Sequence, residues 1–100
     1  MNRKIEFRPT ARSEFDEAAD WYEEQQYGLR AEFVHAVDAI LASVLKSPAS
    51  FPIVHGSKIR RAMVGRFPYA VLFEADDTRI IVYAVFHTSR NPMIWRGRID

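Results

Sequence analysis

The sequence contains no cysteine, which excludes a disulfide framework and any thiolate metal site. It has no uninterrupted apolar run of about 18 residues, so no segment reads as a membrane-spanning helix. Met1 to Glu6 is charged and the apolar residues that follow are scattered, so no export signal is read and the expected compartment is the cytoplasm. There is no internal repeat, linker or low-complexity tract. What the chain has instead is material for a core. Apolar residues make up 48% of it and aromatics 13%, which excludes a disordered polymer. One hundred residues is room for one domain, spanning 1–100, with a single core. No cofactor and no metal site is expected.

The net charge of +1 conceals an asymmetry. Residues 1–50 hold six Lys/Arg against nine Asp/Glu, and residues 51–100 hold eight against four. Such segregation suits a C-terminal half that meets an anionic partner and an N-terminal half that acts as scaffold; two ordinary solvated surfaces would give the same count.

Two hydrophobic periods divide the chain. Lys4-Ile5-Glu6-Phe7-Arg8 alternates and stops at Pro9, which predicts a short strand. Thr10 is placed to cap a helix whose stripe is Ala11, Phe15, Ala18, Ala19 and Tyr22, with acidic residues opposite, and Gly28 ends it. A second helix buries Phe33, Val34, Val37, Ile40, Leu41, Val44 and Leu45, with Pro48 beyond its end. So short a connection predicts an antiparallel helical hairpin. After a loop through Ser50, Pro52 and Gly56 the period becomes two. Lys58–Val64, Tyr69–Glu74 and Arg79–Phe86 are strand candidates, with turns at Gly65/Pro68 and Asp76-Asp77. The expected fold is therefore α+β, in the order β-α-α-β-β-β, with the hairpin on one face of a small antiparallel sheet and the other face partly open.

Arginines interrupt these strand candidates at Ile59-Arg60-Arg61, at Arg66-Phe67-Pro68-Tyr69 and at Val85-Phe86-His87-Thr88-Ser89-Arg90. A guanidinium is costly to bury alone, so arginines in strand-like sequence belong on an exposed or concave face, where they can meet phosphate or carboxylate. His87 is the histidine best placed for proton transfer, although at a strand end it can equally cap backbone groups. His35, on the polar side of the second helix, and His55, in a loop, have weaker claims. Arg79 and Arg98 read as solvated charges, Tyr69 and Trp95 as packing, and Trp21 as partly buried.

The ordered set Ile5-Glu6-Phe7, Ala11, Trp21-Tyr22-Glu23, Gly28-Leu29, Phe33, Arg60-Arg61, Arg66-Phe67-Pro68-Tyr69, Glu74, Ala84-Val85-Phe86-His87, Arg90-Asn91-Pro92 and Trp95 resembles the RelE/ParE superfamily of toxins from bacterial type II toxin-antitoxin modules. The resemblance covers nearly the whole chain. It implies a growth-arresting toxin with a small sheet carrying a helical hairpin, and a cognate antitoxin protein that wraps a segment over it. RelE-like members cleave messenger RNA on the ribosome; ParE-like members inhibit DNA gyrase. The first would make the protein an endoribonuclease and the second would not, and both stay open, as does a non-toxic relative that serves only as a binding partner or regulator.

Cleavage of RNA by its own 2′-hydroxyl needs a proton acceptor and cations for the phosphoryl oxygens. Arg61, Arg66 and Arg90 are the candidate cations and His87 the candidate proton carrier, and these four form the expected site. Arg66 occupies the arginine of an Arg-x-x-Tyr strand start that resembles RelE-type ribonucleases. Two departures point to the ParE side: a histidine followed by arginine closes the last strand, and Lys58 is the one lysine after the helices.

Overall fold

The computed structural model describes residues 2–99, in which the chain runs β1 (Lys4–Phe7), α1 (Pro9–Gln25), α2 (Leu29–Lys46), a 3-10 turn (Pro48–Ser50), β2 (Ile53–His55), β3 (Ile59–Met63), β4 (Tyr69–Ala75), β5 (Arg79–His87) and α3 (Met93–Ile99). The helix α1 begins one residue before the expected cap. Pro9 fits a first helical turn because its missing N–H would have no partner there, so Thr10 lies inside the helix and Arg8 precedes it without a side-chain cap. Its stripe of Ala11, Phe15, Ala18 and Ala19 is buried as expected. The helix stops at Gln25 rather than at Gly28. Gly28 instead takes a left-handed φ of 93° immediately before α2, a conformation that favours glycine. The Glu23 carboxylate accepts the N–H groups of Gly28 (3.1 Å) and Arg30 (3.0 Å). It thereby satisfies donors at the start of α2 that have no partner within the helix.

The sheet order is β1-β5-β4-β3-β2. The three long strands fall within a residue of their expected bounds, and β3, β4 and β5 are antiparallel neighbours. The sheet as a whole is mixed rather than antiparallel, because β1 lies parallel to β5, with Lys4 opposite Arg79 and Phe7 opposite Val82. Two elements were not expected. β2 forms in the supposed loop and pairs with β3; three residues between Pro52 and Gly56 are too few to show a period. The helix α3 lies after Asn91-Pro92, where the Asn91 side chain accepts the Met93 N–H at 3.0 Å and Pro92 supplies a helix-compatible start.

The hairpin packs on one face of the sheet. Phe15, Phe33, Val37, Val44, Val71, Phe73, Ile80 and Val82 are among the residues of this core, with Phe33 fully buried among the rings of Phe15, Tyr22, Phe67 and Tyr69. A bulge in β5 keeps both sides filled. Leu72 pairs with Ala84 but Phe73 with Val82, so Tyr83 is the extra residue. On the opposite face a smaller cluster of Ile59, Ala70, Leu72, Ala84 and Phe86 is partly covered by Trp95 of α3. That cover leaves part of the second face open. No helix among the described residues is long and apolar enough to cross a membrane.

Candidate functional site

Strand alternation decides which arginine reaches the open face. On β3, Arg60 turns to the helix side, where its guanidinium donates to the Phe51 carbonyl at 2.6 Å. Arg61, one residue on, turns the other way and lines a cleft of about 430 Å³. The same cleft is lined by Met63, His87, Thr88, Arg90 and Arg96, over a floor that includes Ala70, Leu72, Phe86 and Trp95. No aspartate or glutamate lines it.

His87 ends β5, and the turn after it fixes the ring. The Ser89 N–H donates to His87 Nδ1 at 3.1 Å, and the Ser89 hydroxyl lies 2.8 Å from the same nitrogen. An Nδ1 that accepts a backbone N–H carries no proton, so the neutral ring holds its hydrogen on Nε2 and presents a donor. Tyr69 packs edge-on against this ring with centroids 5.1 Å apart. Burial pushes the Tyr69 phenol above its ordinary pKa, so the phenol keeps its proton at neutral pH. The Arg90 guanidinium rests on the Phe86 ring at 4.9 Å and that of Arg96 on Trp95 at 5.4 Å, which holds both side chains at the cleft wall.

Of the four expected site residues, the structure brings together Arg61, His87 and Arg90, and it separates Arg66. Arg66 sits in the β3–β4 turn, ion-paired with Glu32 of α2 and resting over Phe67 at 5.1 Å, on the helical side of the sheet. Its neighbours there are Ala31, His35 and Ala36. The cation that sequence reasoning missed is Arg96. The signal was the Asn91-Pro92 helix start, from which Trp95 and Arg96 follow within one turn.

Other expectations resolve as packing. Trp95 is buried, Tyr69 is partly buried, and Trp21 is half exposed. His55 stacks edge-on against Trp95 at 5.6 Å, and His35 lies on the helical side near Arg66. Arg79 pairs with Glu6 and Asp76 at the surface. Arg98 is not the solvated charge expected of it. It forms two bonds to Glu14 (3.0 and 2.8 Å), and their side chains are only 24% and 12% exposed. Among the described residues no group of three or more His, Asp or Glu is placed to hold a metal ion.

A family model described as the ParE toxin of the type II toxin-antitoxin system, parDE, matches residues 5–92. That span includes Arg61, His87 and Arg90 and ends just before α3. Among solved structures, the chromosomal ParDE toxin-antitoxin system from P. aeruginosa is similar, with a TM-score of 0.75 and 11% sequence identity over 87% of this chain and 97% of that one. At such identity the likeness speaks for the fold. No curated protein matches the sequence. With the family match running from β1 through the turn that carries Arg90, the chain belongs to the ParE toxin family of type II toxin-antitoxin systems.

Proposed function

We propose that this chain is a growth-arresting toxin, that it acts on DNA gyrase by binding rather than by cutting RNA, and that a cognate antitoxin neutralises it across the basic sheet face. The observation that carries the choice of target is the absence of a proton acceptor in the cleft among the described residues. Cations are present, no carboxylate lines the cleft, and His87 Nδ1 is occupied by Ser89; Glu14 and Glu17 lie with Tyr69 in a separate hollow that His87 and Arg90 also line, where Glu14 is held by the Val85 N–H and by Arg98. Ribonucleolytic attack needs a base at the 2′-hydroxyl; a binding surface needs only donors. The antitoxin reading rests on the same charges and on β2, an outer strand of the sheet, which offers an edge for strand addition.

The test is induction without antitoxin, with DNA and messenger RNA examined together. Gyrase-linked DNA breaks with intact messenger RNA are expected. Messenger RNA cut within codons, with intact DNA, would replace this reading by a RelE-like one, and undisturbed growth at normal protein levels would make the chain a non-toxic relative.

A further inference from the structure

The pairing of β1 with β5 ends at Val82, and past it α1 runs beside β5, where Glu14 takes the Val85 N–H. Side chains at i, i+3 and i+7 share a helix face. Glu14, Glu17 and Trp21 of α1 therefore form one wall of a hollow of about 190 Å³, faced by Tyr69, His87 and Arg90. Glu14 is already held by the Val85 N–H and by Arg98. Among the described residues Glu17 forms no ion pair, and neither does Arg90 on the facing wall. One wall thus presents an acceptor and the other a donor, and the two do not meet. The Nε2–H of the neutral His87 ring adds a second donor beside Arg90.

Trp21 adds a platform. It is 53% exposed, and its indole is fixed edge-on against Tyr22 with centroids 5.1 Å apart. Phe86 and Trp95 of the cleft, by contrast, are 4% and 5% exposed. Aromatic surface of this kind holds an unstacked base. A basic side chain would satisfy Glu17 and meet Arg90 with like charge, and an acidic one would do the reverse. What suits both walls is a flat, neutral group with donors on one edge and acceptors on the other. Guanine is that group. Its O6 and N7 accept from a guanidinium, while its N1–H and N2 amino group lie side by side for a carboxylate, which only accepts. Adenine would turn the N1 lone pair towards Glu17, and the pyrimidines lack the O6/N7 pair for Arg90.

We propose that this hollow binds an unpaired guanine, stacked on Trp21, donating from N1 and N2 to Glu17 and accepting at O6 and N7 from Arg90 and His87 Nε2. The guanine must be unpaired, because base pairing occupies N1 and N2. A free guanine nucleotide and an extruded guanine of a strand share this chemistry. Binding here does not depend on gyrase being the target.

The test uses the full chain, labelled with nitrogen-15, and follows the indole N–H signals of Trp21 and Trp95 and the arginine Nε–H signals by NMR. The probes are GMP, AMP and CMP, which share a phosphate and differ in the base, beside a short thymine strand carrying one central guanine and its all-thymine counterpart. GMP is expected to move the Trp21 and Arg90 signals, to leave Trp95 in place, and to bind about tenfold more tightly than AMP or CMP. Glu17→Ala should bring GMP to the level of AMP, and Trp21→Ala should weaken GMP about tenfold; both positions are exposed, and the remaining spectrum reports that the fold is kept. Tighter binding of the guanine strand than of GMP would identify the source as nucleic acid, and equal binding a free nucleotide; either bears the proposal out. Equal binding of the three nucleotides, equal binding of the two strands, a guanine preference that survives Glu17→Ala, or movement of Arg61 and Trp95 without Trp21 would overturn it. Because the readout is binding in vitro, it can fail while the toxin still acts on gyrase, and it can succeed in a protein whose target is something else.

Discussion

Arg61 and Arg66 are five positions apart and stand on opposite sides of the sheet, so their substitutions separate the site from the surface. Arg61→Ala or Arg90→Ala removes an unpaired guanidinium from the cleft, and a lost charge-assisted contact of ~1.5–3 kcal/mol is a tenfold or greater loss of potency. Arg66→Ala breaks an exposed pair with Glu32, of a kind that contributes little, and should leave toxicity near the parent's. The measurement is the inducer level that halts growth, at matched protein levels. Equal potency of all three variants would remove the cleft from the account. The sequence marked Arg61, His87 and Arg90 because a cation in a strand pattern is conspicuous. It could not sort Arg66 from them, since a turn residue has no strand alternation to say which side it faces. Arg96 stayed hidden because its role depends on a short helix folding back over the sheet.

At the scale of elements, the edge of β5 explains the most buried charge pair. β1 pairs with β5 only as far as Val82, and Arg8 N–H closes that ladder on the Val82 carbonyl at 2.9 Å. Past that point the Val85 N–H donates to Glu14 Oε1 at 3.1 Å, and Arg98 donates to the Tyr83 carbonyl at 3.4 Å. Side chains thus occupy groups that an exposed edge would offer to another chain. Glu14→Ala leaves the Val85 N–H without its acceptor and Arg98 with only the long bond to the Tyr83 carbonyl, and should cost ~1–3 kcal/mol in a denaturant titration; an unchanged midpoint would contradict this account of the edge.

Two carboxylates give stability a pH dependence. Backbone N–H bonds, from Arg30 and Gly28 to Glu23 and from Thr78 and Arg79 to Asp76, lower both pKa values below the ordinary 4.5 and 3.8. A depressed carboxylate stabilises the fold above its unfolded pKa, and that contribution is lost as pH falls through its folded value. The variant Glu23→Gln/Asp76→Asn should therefore unfold more readily near neutral pH and show a shallower loss on acidification, read by denaturation at a series of pH values. The helices and long strands were legible because each repeats its period several times. β2 and α3 are too short to do so, and the parallel setting of β1 depends on where the hairpin returns the chain.

Taken whole, the molecule separates its charges. Asp16, Glu17, Asp20 and Glu24 are exposed on α1, while the cleft on the far face of the sheet gathers arginines without a carboxylate among its lining residues. The acidic surplus of the first half thus lies largely on the hairpin and the unpaired arginines of the second half on the sheet's second face, although Glu14 and Glu17 reach a hollow that His87 and Arg90 also line. The most direct measurement combines purified gyrase, supercoiled plasmid and the toxin, with gyrase-linked DNA cleavage as the readout. The account predicts cleavage products that rise with toxin concentration, persist in His87→Gln, since glutamine keeps a hydrogen-bond donor, and fall about tenfold or more in Arg61→Ala and Arg90→Ala. Absence of cleavage products with gyrase, together with cutting of messenger RNA on ribosomes that His87→Gln abolishes, would contradict it.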